Sequence, residues 1–269
     1  MFPKLFSVGD LFTLHTYGLL VALALLVGIY TAGQFASRIG VVQETVWNLG
    51  VYMALAALLG AKLGMIVTEW NYYSEHPREI FSWAALQAGG VFYGGLLFGV
   101  AVAAWYTWRH KLGFASLADG YAPGIALGHG VGRLGCFSAG CCWGKPTDVP
   151  WAVTFTNPYS AQLVGVPLGI PLHPTQLYEA LAEAAIFGVL VLLWRRRHFP
   201  GQIFASYLML YAGARFVIEF FRDHPRGGSL FGGALSVPQV LSALLFVVGG
   251  LFWLLQRRRS VPAPAAHAH

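Results

Sequence analysis

Two stretches of this chain carry charged side chains at the spacing that puts them on one face of a helix. Arg215, Glu219 and Arg222 stand four and three residues apart, and Tyr211 extends that face by one turn. His129, Arg133 and Cys136 repeat the spacing. A guanidinium is a planar fork of donors suited to phosphate or carboxylate. Two Arg against one Glu leave the Arg215 face net positive. Two readings of that face stay open: a self-neutralising Arg–Glu pair at a membrane surface, and an interior site for an anion such as phosphate. Arg133 has no acidic residue within one turn, so it needs an acceptor from elsewhere, and a lipid phosphate is the natural one. His15 and Tyr17, and the run His173-Pro174-Thr175-Gln176-Leu177-Tyr178-Glu179, open two further apolar stretches. Single His and Tyr side chains at such places serve as interfacial anchors. Together with Arg133 and Arg215 they could instead line one polar pocket.

All three cysteines fall between Cys136 and Cys142. They admit several readings. Small side chains fill tight helix contacts. Cys141 could be a nucleophile, with its thiolate favoured by Arg133 and Lys145. Cys136 and Cys141 could join in a disulfide on an oxidising side of a membrane. The group could bind a metal with His129, although its spacing matches no common zinc pattern. No metal and no cofactor is expected. Gly124, Gly128, Gly132, Gly140 and Gly144 recur at multiples of four, which makes a thin face for close helix packing.

The elements that must position these groups follow from composition. The chain has 269 residues, 57% apolar and 10% charged. Soluble domains are about a quarter charged. These figures exclude a disordered chain and argue against a soluble globular one. About 20 apolar residues cross a bilayer. Seven stretches meet that length, at 15–36, 46–68, 89–108, 115–136, 175–194, 202–221 and 235–256. The expected fold class is therefore all-α: a polytopic membrane protein of about seven transmembrane helices with a small extracytoplasmic cap at 137–172. One transmembrane catalytic domain covers 1–256, and 257–269 reads as a basic, disordered cytoplasmic tail whose His267 and His269 are incidental. With the N-terminus outside, nine Lys or Arg residues fall in inner segments and five in outer ones. The runs Arg195–Arg197 and Arg257–Arg259 then read as stop signals within reach of anionic lipid. The net charge of +6 calls for no nucleic-acid partner. The aromatic loop at 69–88 suits a membrane–water interface. The first 30 residues lack a signal-peptide layout and read as a retained span.

Six ordered pieces carry a family resemblance: Leu14-His15-Thr16-Tyr17-Gly18, Gly89 to Leu96, Gly132-Arg133-Leu134-Gly135, Trp143-Gly144, His173 to Glu179, and Arg215 to Arg222. Over Leu14 to about Gln256 the chain resembles the prolipoprotein diacylglyceryl transferases. The resemblance implies a bacterial inner-membrane enzyme that moves the diacylglyceryl group of phosphatidylglycerol to the lipobox Cys of a prolipoprotein. Glycerol 1-phosphate is released. It implies that Arg133 binds the headgroup, that Arg215 and Glu219 act as an essential pair, and that Tyr17 and Tyr211 line the cavity. His15, His129, His173, Gln176, Tyr178, Gly144 and Arg222 are the further expected substrate-binding positions.

The departures are as informative. The family signature Gly-Arg-x-Gly-Asn-Phe-x-Asn-x-Glu-x-x-Gly reads here with Cys136 and Ala139 for the two Asn and Cys141 for the Glu. The family's His before Gly-Gly-Leu is Tyr93, and a phenol of pKa about 10 is a poor base at neutral pH. The base for the acceptor thiol could then be His129, His15, Tyr93 or a relay through Cys141. Two alternatives stay open: a related transferase with another acceptor that uses Cys141, and a non-catalytic phospholipid-binding or transport protein.

Overall fold

Long apolar runs with exposed faces can be stable only if lipid covers them and their small residues face one another. A computed structural model describes residues 3–8, 12–82, 90–223, 228–230 and 234–260. The long helices are α1 (Thr16–Ser37), α2 (Gln43–Thr68), α4 (Phe92–Arg109), α5 (Phe114–Ala139), α7 (Thr175–Trp194), α8 (Gln202–Ile218) and α9 (Val237–Ser260). They fall on the seven expected stretches. Five of them, α1, α2, α7, α8 with its following 3-10 turn, and α9, are long and apolar enough to cross a membrane on length and hydropathy alone. The other two are diluted. Helix α4 ends Trp-Tyr-Thr-Trp-Arg, and α5 carries Asp119, His129 and Arg133. Large apolar side chains stay on the outside, among them Val67, Leu181 and Leu192, at 71%, 70% and 64% exposure. Such a surface suits lipid, not water.

Helix α5 is the centre. It packs against α1, α7 and α8, while α4 packs on α2, and α9 on α8. The glycine stripe explains the α1–α5 contact. A Cβ on Gly124 would strike the carbonyl of Gly28, and one on Gly128 would lie 2.7 Å from the carbonyl of Ala24. Helix packing is therefore what these glycines do. Gly132 differs, because a Cβ there would meet only Ala24 Cβ, at 3.9 Å.

At the far end of α5, Asp119 is fully buried. Its carboxylate accepts from Arg197 Nε (2.7 Å) and from the backbone N–H groups of Gly201 (2.7 Å) and Phe204 (2.9 Å). It thus ties the α7–α8 connection to α5. Arg197 was expected at a lipid surface, and the buried carboxylate takes it instead. The C-terminal expectation also changes. Helix α9 runs on to Ser260, so Arg257–Arg259 form its last turn. Cations there oppose the helix dipole, and Arg257 also lies over the Trp253 ring at 5.1 Å. The remainder of the expected disordered tail, 261–269, lies outside the described residues.

Small β ribbons, which the composition did not announce, appear at the helix ends. Lys4–Val8 (β1) pairs antiparallel with Phe12–His15 (β2) just before α1. Ser229–Leu230 (β5) pairs with Leu235–Ser236 (β6) before α9. The cap expected at 137–172 is ordered. Its start is corrected, since α5 extends through Ala139. Val153–Thr154 (β3) pairs with Pro171–Leu172 (β4), and the short helix α6 (Pro158–Val164) starts at Asn157, whose side chain accepts from Tyr159 N at 2.9 Å. Phe155, Val166 and Leu172 form the cap's own core, with Trp143 packed against it. The aromatic loop forms helix α3 (Trp70–Glu75) and a 3-10 turn at Pro77–Phe81, with Trp70 and Phe81 exposed. Trp83, also expected in that loop, lies outside the described residues, as does Gly89 of the motif at 89–96.

Candidate functional site

The charged residues of three helices meet where α5 ends, α7 begins and α8 ends. Glu179 sits at the centre on the first turns of α7, at 3% exposure. Its carboxylate pairs with Arg133 Nε of α5, with Arg215 Nε of α8 (3.7 Å) and with Arg222 Nη2 (3.4 Å). Arg215 Nη1 also meets Glu219 Oε2 at 2.5 Å, and Ser236 Oγ donates to Glu219 Oε1 at 3.3 Å. One turn further along α7, Glu183 Oε1 accepts from His129 Nδ1 at 2.6 Å. His129 Nε2 accepts from Arg133 Nε at 3.2 Å, so the hydrogen-bond pattern assigns the Nδ1–H tautomer. Tyr211 stands edge-on to the His129 ring, with centroids 5.4 Å apart.

The face expected to be net positive is therefore balanced. Three guanidiniums meet Glu179 and Glu219, and His129 joins Glu183 to the same group. Arg133 does find its acceptor from another helix, but that acceptor is a carboxylate. A lone Arg at the centre of a membrane costs about 2.5–3.5 kcal/mol, and a paired one far less. Arg222, read on sequence both as the end of this face and as an outer-loop residue, is 4% exposed. Among the described residues its Nε and Nη2 have no hydrogen-bond partner, and neither has either oxygen of Glu179. Charge holds these groups together without well-aligned hydrogen bonds, and the guanidiniums keep donors to spare. A small cleft between α7 and α8, lined by Glu179, Glu183, Tyr211 and Arg215, opens onto them.

Other expected site residues fall into three groups. Tyr17, near the start of α1, is in electrostatic reach of Arg133 and the three cysteines. His173, Tyr178, Gln176 and Gly144 join the cap to the helices. His173 Nδ1 meets Tyr178 OH at 2.9 Å, and that hydroxyl accepts from Trp151 Nε1 at 2.8 Å. Gln176, fully buried, donates from Nε2 to the carbonyl of Cys141 at 2.6 Å. Gly144 forms a β-bridge with Arg222, and a Cβ there would lie 2.5 Å from the Phe221 carbonyl. Its lack of a side chain lets the cap press on the end of α8. The third group makes its described contacts elsewhere. His15 Nε2 meets the Tyr159 hydroxyl of the cap at 2.8 Å. Tyr93, on α4, is 58% exposed and meets the ring of Phe92.

The cysteines are three thiols, none in a disulfide. Arg133 Nη1 faces Cys136 Sγ at 3.9 Å and Cys142 Sγ at 3.8 Å, while Cys141 Sγ turns to the carbonyl of Cys136 at 3.6 Å. Hydrogen bonds with the Cys136 and Cys142 thiols, and burial, push the Cys141 thiol up. A Cys141 thiolate favoured by Arg133 and Lys145 is thus opposed by its surroundings.

Sequence reading passed over Glu179 as a site residue and Glu183 altogether. The signal was present: two carboxylates at i and i+4 inside an apolar stretch.

Long helices with lipid-facing surfaces, an ordered cap and a buried Arg–Glu network beneath it define a polytopic membrane protein built around an ionic site. A sequence model of the family described as prolipoprotein diacylglyceryl transferase matches residues 3–255. The chain is 36% identical over 264 residues to the phosphatidylglycerol–prolipoprotein diacylglyceryl transferase of Geobacter sulfurreducens, covering 96% of each chain. The same enzyme of Bordetella avium is 34% identical over 269 residues, with 97% of each chain covered. That of Ruegeria pomeroyi is 36% identical over 294 residues, covering 97% of this chain and 96% of the relative. The chain belongs to the prolipoprotein diacylglyceryl transferase family and is a multi-pass membrane transferase.

Proposed function

We propose that this protein transfers the diacylglyceryl group of phosphatidylglycerol to the lipobox Cys thiol of a prolipoprotein and releases glycerol 1-phosphate. The observation that carries the reading is the convergence of Arg133, Arg215 and Arg222 on the single carboxylate of Glu179. That carboxylate occupies the place of an anion among three cations, and the lipid phosphate would share or take it over. Guanidiniums fixed in a site of low dielectric stabilise the charge that builds on the leaving phosphate. Glu219 and Ser236 hold Arg215 in place.

The thiol sulfur forms a C–S bond to the glycerol carbon as that carbon's bond to the phosphate oxygen breaks. The electron pair leaves on the phosphate, and the thiol proton goes to a base. Of the candidates, His129 has the geometry. Its Nδ1–H is given to a buried carboxylate, which leaves Nε2 as the acceptor, in the arrangement of a base with its orienting partner. Arg133 now donates to Nε2, and engagement of Arg133 with phosphate would free that lone pair. His15 is engaged with Tyr159 and Tyr93 with Phe92, and the Cys141 thiol is turned toward a backbone carbonyl.

The nine-to-five distribution of Lys and Arg supports an N-terminus outside and a C-terminus in the cytoplasm of a bacterial inner membrane, with the cap and network at the outer face. Incubation of the purified protein with phosphatidylglycerol and a lipobox peptide, followed by mass spectrometry, tests the reading. A diacylglyceryl mass gain that disappears in Arg133→Ala is expected. An unmodified peptide, where the Geobacter sulfurreducens relative modifies it, would overturn the assignment.

A further inference from the structure

Cys136, Cys141 and Cys142 take no part in the reaction above, yet the chain goes to some length to bring them together. Helix α5 ends at Ala139, and Gly140, at φ +82°, turns the backbone sharply. The N–H groups of Gly140 and Cys141 both donate to the carbonyl of Cys136, at 3.0 and 3.1 Å. Cys141 is thereby folded back over Cys136. Cys142 follows at φ +63°, a region that residues other than glycine seldom adopt. It is held there by α7. Thr175 Oγ1 donates to the Cys142 carbonyl at 2.6 Å and Gln176 Nε2 to the Cys141 carbonyl at 2.6 Å. Both donors are fully buried.

The result is three sulfurs all within 4.8 Å of one another, with Cys141 and Cys142 Sγ at 3.8 Å. Three thiolates around one ion, at metal–sulfur distances of about 2.3 Å, stand about 3.8–4.0 Å apart. The sulfurs are thus within about 1 Å of that triangle, whereas a disulfide requires closure to about 2.05 Å. His129 does not complete the set, since both of its nitrogens are committed to Glu183 and Arg133. The sequence spacing hid this site because the αL turn and the α7 donors, not a regular motif, gather the sulfurs. Arg133 Nη1 lies 3.8–3.9 Å from two of them and offsets the negative charge of a three-thiolate complex. An all-sulfur, three-ligand set selects soft d10 ions over hard ones. Cys136 and Cys141 are half-buried, and Cys142 is the most enclosed of the three.

We propose that Cys136, Cys141 and Cys142 form a preorganised trigonal thiolate site for one soft d10 cation, Cu⁺ or Zn²⁺, beside Arg133. Each thiol releases its proton as its sulfur binds the ion, and no electron is transferred. This site rests on geometry and stands apart from the assigned transferase reaction.

The test uses the full-length protein in detergent, reduced and free of oxygen, loaded with one equivalent of Cu⁺ or of Zn²⁺. X-ray absorption is expected to show one ion per chain with three sulfur neighbours at about 2.3 Å. Three sulfurs alone identify Cu⁺ as the better fit, and a fourth light neighbour identifies Zn²⁺. The bound ion should also shield all three cysteines of the native chain from alkylation, a readout that needs no variant. Cys141→Ser, checked for an unchanged melting temperature, should weaken binding by at least about 100-fold, more than loss of an outer-shell partner does. Fewer than two sulfur neighbours for both ions, or alkylation of all three cysteines at an unchanged rate, would overturn the proposal.

Discussion

Glu179 is the residue on which the site turns, because three guanidiniums lean on one carboxylate. Removing one member of a buried ion pair leaves an uncompensated charge and costs about 3–5 kcal/mol. Glu179→Gln is therefore expected to lower the melting temperature in detergent and abolish peptide modification. Arg133→Lys should not rescue Arg133→Ala, because an ammonium cannot face Glu179, His129 and a phosphate from one planar group. His129→Gln separates chemistry from binding. It keeps a polar group near Glu183 but supplies no base. The turnover number should fall about 10²–10⁴-fold, with KM for phosphatidylglycerol changed only slightly. A parallel rise in KM would assign His129 to binding instead. Arg133 and the Arg215–Glu219 pair were legible in the sequence, because charge inside an apolar stretch is conspicuous. The role of Glu179 was not, because its partners are Arg133, 46 residues before it on α5, and Arg215 and Arg222, 36 and 43 residues after it near and just beyond the end of α8. Only the packing of those helices brings them to it.

Helices α1 and α5 approach so closely that backbone meets backbone. At Gly124 the obstacle is the Gly28 carbonyl, which cannot swing aside as a side chain could. Gly124→Leu should therefore separate the two helices and reduce the folded yield, whereas Gly132→Ala should leave yield and melting temperature nearly unchanged. Size-exclusion chromatography and thermal melting of the two variants check this contrast. The four-residue glycine period was readable as a thin helix face. Which glycines tolerate a methyl group was not, since that depends on whether Ala24 offers its Cβ or its carbonyl across the contact. The cap shows the same division. Its aromatic residues were visible in the sequence, but the role of Gly144 follows from the pressure of Phe221 and His173 on it.

Across the whole molecule the two ends of α5 do different work. Asp119 and Arg133 are 14 residues apart, about 21 Å along a helix. Sites so far apart contribute independently. Asp119→Ala strips the Gly201 and Phe204 N–H groups and Arg197 of their acceptor. Each lost partner costs about 1–3 kcal/mol. The variant should melt well below the parent, while the KM of whatever enzyme still folds stays the same. The proposed orientation is checked in intact cells. A single cysteine placed at Ser260 in a chain otherwise lacking cysteine should react with an impermeant maleimide only after the membrane is opened.

Composition and apolar run length determined that this chain is a bundle of long membrane helices, because any such run must be covered by lipid or by another helix. Charge at helical spacing determined that one end of that bundle is polar. The ordered motifs, taken together, determined the family. The tertiary structure alone decided how that polar end is neutralised, that His129 is paired with Glu183, that Arg197 is claimed by Asp119, and that three cysteines share one corner. Each of those outcomes is a contact between distant parts of the chain. Periodicity along one helix reports which face is buried, but the identity of what covers it depends on how the other helices pack.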